Sequence, residues 1–411
     1  MKNTFPQHAA LESLDVKDGC LQIGGMSLTR LVQRVGTTPF YAYDRKKISE
    51  RVALLRRYMP PEIQLYYAMK ANPMPAVVQH LAKLVDGMDV ASMGEMKVAL
   101  DTPLTSHRIS FSGPGKRLEE LRSAVASDVV INVESASEME RVVQCGEELG
   151  MLPRVSIRVN PDFELQSSGM KMGGGAKPFG IDAEQVPSLL QRISTLGLNF
   201  VGLHVFSGSQ NLNTSAICES QEKTIRLATK IAHQAGVAIP WLNIGGGLGV
   251  PYFPGQHPLD LAAVGERLHG LVYDIKQIFP NIEIAMELGR YIVAEAGIYV
   301  CRVVERKTSR GQIFLVTDGG MHHHLAASGN LGQVIRKNFP VLIGNKIHQN
   351  ADDVATIVGP LCTPLDILAE QIPVTRASIG DLVVVLQSGA YGLTASPVAF
   401  LNHPEPIEVL V

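Results

Sequence analysis

The sequence predicts an α/β fold built on a (β/α)₈ barrel, with a second, β-rich domain made from the two chain ends. Three observations predict it. Short apolar runs alternate with helical patterns eight times between residues 63 and 290, the rhythm of a barrel of about 250 residues. The runs are largely continuous in apolar character, as strands covered on both faces must be. After residue 297 the rhythm stops, and Val- and Ile-rich runs separated by turn signals take over. A doubly wound open sheet is the competing arrangement, but the GxGxxG expected after its first strand is missing.

In order, IQLYYAMKAN leads to the helical PAVVQHLAKLV, DGMDVAS to GEMKVAL, and RISFSGPGK to KRLEELRSAVA. DVVINVES leads to ASEMERVVQCGEELG, and RVSIRVNP, after a Gly-rich insertion, to AEQVPSLLQRISTLG. NFVGLHVFSGSQ precedes SQEKTIRLATKIAHQAG, IPWLNIGGGLG precedes LDLAAVGERLHGLVYDIKQIF, and NIEIAMELGR is the eighth run. The barrel is expected over 37–296. The β-rich domain is expected from 1–36, with the strand-like GCLQIGG, and 297–411, with GIYVCRVVERKT, QIFLVTDG, VATIVGP and DLVVVLQSGAY as antiparallel strands.

Every barrel run ends in chemistry. Lys70 ends the first, Asp89 and Ser92 the second, Gly113 and Lys116 the third, Glu134 the fourth, Arg158 and Asn160 the fifth. Ser207 to Gln210 end the sixth, Gly245 to Gly247 the seventh, Glu287 and Arg290 the eighth. Active sites of such barrels sit at the C-terminal strand ends.

Bulk composition narrows the class. The 411 residues exceed the usual single domain. Lys and Arg number 37 against 39 Asp and Glu, a net charge of −2 with no dense basic run, which argues against a nucleic-acid binder. Hydrophobic residues make up 45%, enough for a packed core. No apolar stretch is long enough to span a membrane, the start lacks the apolar core of a secretory signal, and neither end carries a lipidation motif. Five scattered cysteines without a CxxC pair suit a reducing cytoplasm and argue against zinc.

A lysine at an apolar strand end is a candidate Schiff-base former, since desolvation frees its amine. Such a lysine acts alone on a carbonyl or carries pyridoxal phosphate, which needs a phosphate site and a partner for its pyridine nitrogen. Gly245, Gly246 and Gly247 let backbone N–H groups approach an anion, with Ser209 and Arg290 able to join them. Glu287 can face a ring nitrogen and keep it protonated; it can also pair with Arg290.

Taken in order, YAMKAN, DVAS, FSGPGK, GSQ, GGGLG, ELGRYIV, GPLC and GAY resemble the pyridoxal-phosphate-dependent decarboxylases with an alanine-racemase-like barrel, the group of diaminopimelate and ornithine decarboxylases. The likeness runs from TPFYAYD at 38–44 to SGAYGLTASPVAFLN at 388–402. It implies that Lys70 carries the cofactor as an internal aldimine, with Asp89 beside it. Ser209, Gly245 to Gly247 and Tyr391 would hold the phosphate, Glu287 the ring nitrogen, and Arg290 the phosphate or a substrate carboxylate. Cys362 would reach over from a neighbouring subunit and protonate the carbanion, so a homodimer with shared sites is implied.

Two positions depart from the family. Phe206 stands where a histidine usually stacks on the ring; a phenyl face still stacks but cannot hydrogen-bond. His204 lies on the same strand face and either enters the site or is a satisfied barrel histidine, the preferred reading. After Cys362 stands Thr363-Pro364, where family members acting on diamino acids carry an acid for the distal ammonium. A neutral threonine cannot supply that charge. The implied substrate is an amino acid without a free distal amine, as a masked amine, amide or thioester. GPLCTPLD and Phe206 resemble a secondary-metabolite and exosortase-associated subgroup, some of whose relatives decarboxylate a glutamyl group on an acyl-carrier protein.

MHHHLAAS at 321–328 does not read as a metal site, because three consecutive histidines cannot face one point; the resemblance implies that the segment borders the active site, with His323 as a substrate contact. The alternatives are a diaminopimelate decarboxylase of lysine biosynthesis, an amino-acid racemase, and a non-catalytic pyridoxal-phosphate carrier. Alanine racemases usually read KANAYGHG where this chain reads KANPMPAV, and single-barrel carriers lack a second domain.

Overall fold

A computed structural model describes residues 7–165, 170–193, 195–347 and 351–411. The chain divides into two units. One comprises Ser49–Val250 and Leu259–Tyr291; the other comprises Met1–Ile48, Pro251–Pro258 and Ile292–Val411.

In the first unit, eight parallel strands close into a barrel: Ile63–Ala68, Gly87–Val90, Ile109–Phe111, Val130–Val133, Arg154–Asn160, Asn199–Val205, Trp241–Asn243 and Glu283–Leu288. The eighth pairs with the first, Glu287 opposite Tyr66. These are the eight apolar runs of the sequence. Alternate residues along each strand point inside, and Tyr66, Trp241 and Ala285 pack together there, all buried. Part of the Gly-rich insertion, 166–169, lies outside the described residues.

The turns out of the second and fourth strands are set by short-range chemistry. SMGE and SASE both fit the capping pattern S-x-x-E. Ser92 and Ser135 accept the N–H of Glu95 and Glu138 at 3.1 Å. The two glutamates reach back to the strand-end amides of Ala91 and Glu134. So Ser92, chemical-looking in the sequence, is a helix cap.

Several other strand-end residues are braces. Lys116, 3% exposed, donates from Nζ to the carbonyls of Gly113 and Asn132 and sits 3.1 Å from Glu138. Burial pushes its ammonium down, and the two glutamates Glu138 and Glu134 oppose that. Asn160 holds the insertion through the Gly175 carbonyl, Asp182 and the Gly174 N–H. Gln210 makes a two-way bond with the backbone of Val250. A buried polar group persists only when it is paired in this way.

The second unit is β-rich. Its main sheet runs Val341–Ile343, Leu382–Val385, Gly297–Ser309, Gln312–Thr317, Asp353–Val358 and Ile367–Val374. Phe40–Tyr43 adds to Gly297–Val300, and Ile407–Leu410 adds to Phe40–Tyr43. The expectation of antiparallel strands needs correction at one pairing, since Gln312–Thr317 runs parallel to Asp353–Val358. Ile407–Leu410 likewise runs parallel to Phe40–Tyr43. Parallel neighbours need long connections, and both pairs are separated by such stretches. The first residues also differ from a purely strand-like reading. Cys20–Ile23 is a strand, but Leu28–Val35 is a helix, capped by Ser27 and closed by Gly36 at φ 86°.

Candidate active site

The barrel unit carries Lys70, Asp89, Phe206, Ser209, Gly245, Gly246, Gly247, Glu287 and Arg290, all at or just past C-terminal strand ends. Lys70 lies on the single 3₁₀ turn Met69–Ala71 that follows the first strand. Gly289 makes room for this turn: a Cβ there would stand 2.8 Å from the Ala71 side chain and 2.9 Å from the Ala68 carbonyl. The exit of the eighth strand, with Glu287, is thereby held against Lys70. The lysine Nζ lies 5.3 Å from the centre of the Phe206 ring, within cation–π range. Lys70 is exposed, which corrects the expectation of an amine desolvated at an apolar strand end. The strand stops at Ala68, and the extra turn lifts the lysine clear of the barrel core.

Glu287 is buried at 6% exposure. Its Oε2 lies 3.0 Å from His204 Nε2 and accepts from Asn243 Nδ2 at 3.2 Å. Burial pushes this carboxyl up, but His204, Lys70 and Arg158 outweigh burial and hold it at about 2. Asp89, also buried, goes the other way. Burial and the Glu287 charge push it well above the usual carboxylate range, against the opposing pull of Ser110 and Lys70. The Ser110 hydroxyl donates to Asp89 Oδ1, while Oδ2 has no hydrogen-bond partner among the described residues. Two neighbouring carboxyls are thus driven in opposite directions, Glu287 down and Asp89 up, the pattern by which acid and base roles are recognised.

The Gly245–Gly247 turn is built for close approach. Gly245 and Gly247 sit at φ 70° and 89°. A Cβ on Gly246 would lie 1.9 Å from the Glu287 carbonyl oxygen. The Gly245 N–H donates to Asn243 Oδ1 at 2.8 Å. The turn therefore offers the N–H groups of Gly246 and Gly247 to an anion, fewer than the triplet suggests. Ser209 lies on the short strand Gly208–Ser209, and Arg290 opens the short helix Arg290–Val293.

Cys362, Thr363, His323 and Tyr391 belong to the second unit. Cys362 is exposed and Thr363 half-buried in the GPLC turn. Thr363 Oγ1 accepts the Leu365 N–H at 3.3 Å. The acid of that turn, Asp366, is 2% exposed and accepts the N–H groups of Met321 and Leu361. Tyr391 holds φ 53°, a backbone region few side chains adopt.

All three histidines of MHHH are buried. His323 has Tyr299 and Pro404 at its two ring nitrogens, and His324 has Ser388 and the Ala327 N–H. Burial pushes His323 and His324 down to about 4 and about 3; burial and two neighbouring imidazoles push His322 down to about 3. The folded unit therefore favours neutral rings that take up protons on unfolding. Below the usual value of 6.5 the unfolded chain binds more protons, so stability falls as pH drops towards about 4. The slope is up to about 1.4 kcal/mol per pH unit for each histidine. Hydrogen exchange of Gly297–Ser309 should show protection shrinking between pH 7 and about 5, and equal protection across that window contradicts the assignment.

Reading the sequence missed two partners, Asn243 and Ser110, and left a third undecided. His204 reads as either a site residue or a satisfied barrel histidine; it is the neighbour of Glu287, and its Nδ1 has no hydrogen-bond partner among the described residues. Its spacing two residues before Phe206 was the available signal. Asn243 and Ser110 gave none, since a polar residue inside an apolar run does not say what it faces.

The barrel groups fit pyridoxal phosphate. They supply an amine beside an aromatic face, a buried carboxylate fixed in its ionised form, an orphaned carboxyl oxygen and a glycine cradle. Comparison with known proteins agrees. The chain is 40% identical over 93% of its length, and 90% of the relative, to the L-glutamyl-[BtrI acyl-carrier protein] decarboxylase of Niallia circulans. It is 34% identical to the diaminopimelate decarboxylase of Aquifex aeolicus, covering 97% of this chain and 92% of that one. The crystal structure of AQ1208 from Aquifex aeolicus superposes with a TM-score of 0.83 at 32% identity, over 98% of this chain and 93% of the other. Residues 45–294 match the pyridoxal-binding domain of the pyridoxal-dependent decarboxylases, and the chain belongs to that family as a pyridoxal-phosphate-dependent amino-acid decarboxylase.

Proposed function

We propose that the enzyme removes the α-carboxylate of an amino acid whose far end is a neutral acyl extension, a thioester or an amide, such as a glutamyl group on a carrier protein. The carrying observation is the GPLC turn. Thr363 and Pro364 follow Cys362, and the one acid of the turn, Asp366, is buried with both oxygens committed to backbone N–H groups. A turn without an available carboxylate has nothing to offer a distal ammonium, and burying that cation unpaired is costly. The likeness to a decarboxylase named for a carrier-bound glutamyl substrate supports the same reading.

In this proposal Lys70 holds the cofactor covalently. The N–H groups of Gly246 and Gly247, with Ser209, Arg290 and Tyr391, hold its phosphate, and Phe206 stacks on its ring. When bound, pyridoxal phosphate supplies an electron sink for the pair left on the α-carbon when carbon dioxide departs. Glu287, ionised throughout the neutral range, keeps the ring nitrogen protonated. His204 and Asn243 orient that carboxylate. Cys362 of a second copy returns a proton to the α-carbon, so the working form is a homodimer, and the free thiols suit a cytoplasmic setting.

Carbon dioxide release separates the substrates. Holoenzyme given a glutamyl thioester on a carrier protein should turn over, and meso-diaminopimelate should give at least about 100-fold less. Brisk release from meso-diaminopimelate and none from the thioester would falsify the neutral-end reading.

A further inference from the structure

The opposite end of the barrel holds a cavity of about 510 Å³ that the decarboxylation site does not use. Its walls come from the N-terminal ends of the strands. Tyr66, Phe200 and Trp241 supply aromatic surface, and Arg108 and Arg154 supply cations. A barrel interior is normally filled by layers of side chains, so open space here asks for an occupant.

Three features make this a built site. Trp241 is only 6% exposed, yet its indole N–H has no hydrogen-bond partner among the described residues. A buried donor left unpaired carries its full desolvation penalty. The sixth strand breaks register between Phe200 and Gly202, a bulge that puts an extra residue, Val201, on this wall. Bulges of this kind re-aim side chains and gather near binding sites. Finally, Arg154 meets Asp128 through Nε at 2.9 Å, which leaves its two terminal nitrogens outside that bond. Arg108 is shared between Glu283, at 3.2 Å, and the Tyr66 hydroxyl.

The spare polar groups on Trp241 and Arg154 are donors, and the apolar surface around them is aromatic. We infer that this cavity binds a small planar carboxylate, its ring against Tyr66 and Trp241 and its oxygens on the indole N–H and Arg154. Benzoate is the simplest probe of that chemistry. The cavity also touches the catalytic machinery through one residue. Ser110 lines it, and its hydroxyl donates to Asp89, the carboxyl that faces Glu287 and Lys70. A ligand here can therefore tune the site at the other end of the barrel.

Trp241 is the only tryptophan of the chain, so its emission reports this cavity alone. Benzoate added to holoenzyme should change that emission saturably, with a Kd on the order of 1 mM for so small a ligand. Calorimetry should give the same constant. Benzylamine, with the same ring and the opposite charge, should not bind. Arg154→Gln should weaken benzoate about tenfold and leave decarboxylation without benzoate unchanged, which also shows that the variant is folded. A non-saturating response, equal binding of benzylamine, or undiminished binding by Arg154→Gln overturns the inference. None of these outcomes bears on which amino acid is decarboxylated.

Discussion

Glu287→Gln should lower kcat by about 10²–10³-fold while KM changes little. The side chain keeps its shape and can still meet Asn243, so the loss is one of charge. Glu287 is held at about 2 by His204, Lys70 and Arg158, against burial that pushes it up. It is therefore a fixed negative charge in a site with little water to screen it. In the proposed mechanism that charge keeps a proton on the cofactor ring, which matters most when electrons arrive there. A ring that has lost its proton is a poorer electron acceptor in the bond-breaking step, so kcat bears the cost. Steady-state carbon dioxide release at saturating substrate measures it. A kcat within about threefold of the parent enzyme removes Glu287 from the proposed role.

The same variant should change the acid limb of stability. A carboxyl held below its unfolded value stabilises the fold above about 4.5 and loses that contribution as pH falls through about 2. Asp89 has the opposite sign. Its raised pKa stabilises the fold when protonated, and that contribution fades as pH rises. The paired carboxyls thus titrate in opposite directions, Glu287 holding its charge and Asp89 resisting ionisation.

The barrel was legible because continuous apolar runs and helical patterns are local signals, and all eight runs became strands. The site was legible at Lys70, Glu287 and the glycine turn for a related reason. Strand ends are positions that sequence can count, and unusual residue types stand out there. What sequence could not give was the sharing of roles among strand-end residues. Lys116, Asn160 and Gln210 look as chemical as Lys70, yet each is committed to backbone carbonyls or side chains that lie far off in the chain. His204 stayed undecided between filler and site residue, because only the insertion of the seventh strand between the sixth and eighth sets His204 and Glu287 on one interior face. The burial of Asp366 was likewise invisible, since its partner Met321 lies 45 residues away.

Glu134→Ala should destabilise the barrel by about 3–5 kcal/mol, the usual effect of leaving a buried charge unpaired. Glu134 and Arg158 meet at 2.9 Å with side chains only 3% and 8% exposed. The carboxylate also accepts the N–H groups of Gly113 and Gly180 at 2.6 and 3.1 Å. It thus ties the third and fifth strand exits to its own. Burial pushes Glu134 up, yet Arg158, Lys116 and those bonds outweigh it and hold the carboxyl below its ordinary value. Removing it strands Arg158 and two backbone donors in low dielectric, where each lost partner carries a desolvation cost. Denaturant unfolding of the variant measures the loss. The double variant Glu134→Ala/Arg158→Met should recover part of it, because the stranded cation is gone and only the backbone donors stay unpaired. Arg158 also helps hold Glu287 ionised. The double variant should therefore regain stability without regaining full turnover. If turnover returns in step with stability, the pair is a brace alone and Arg158 has no share in the electrostatics of the site.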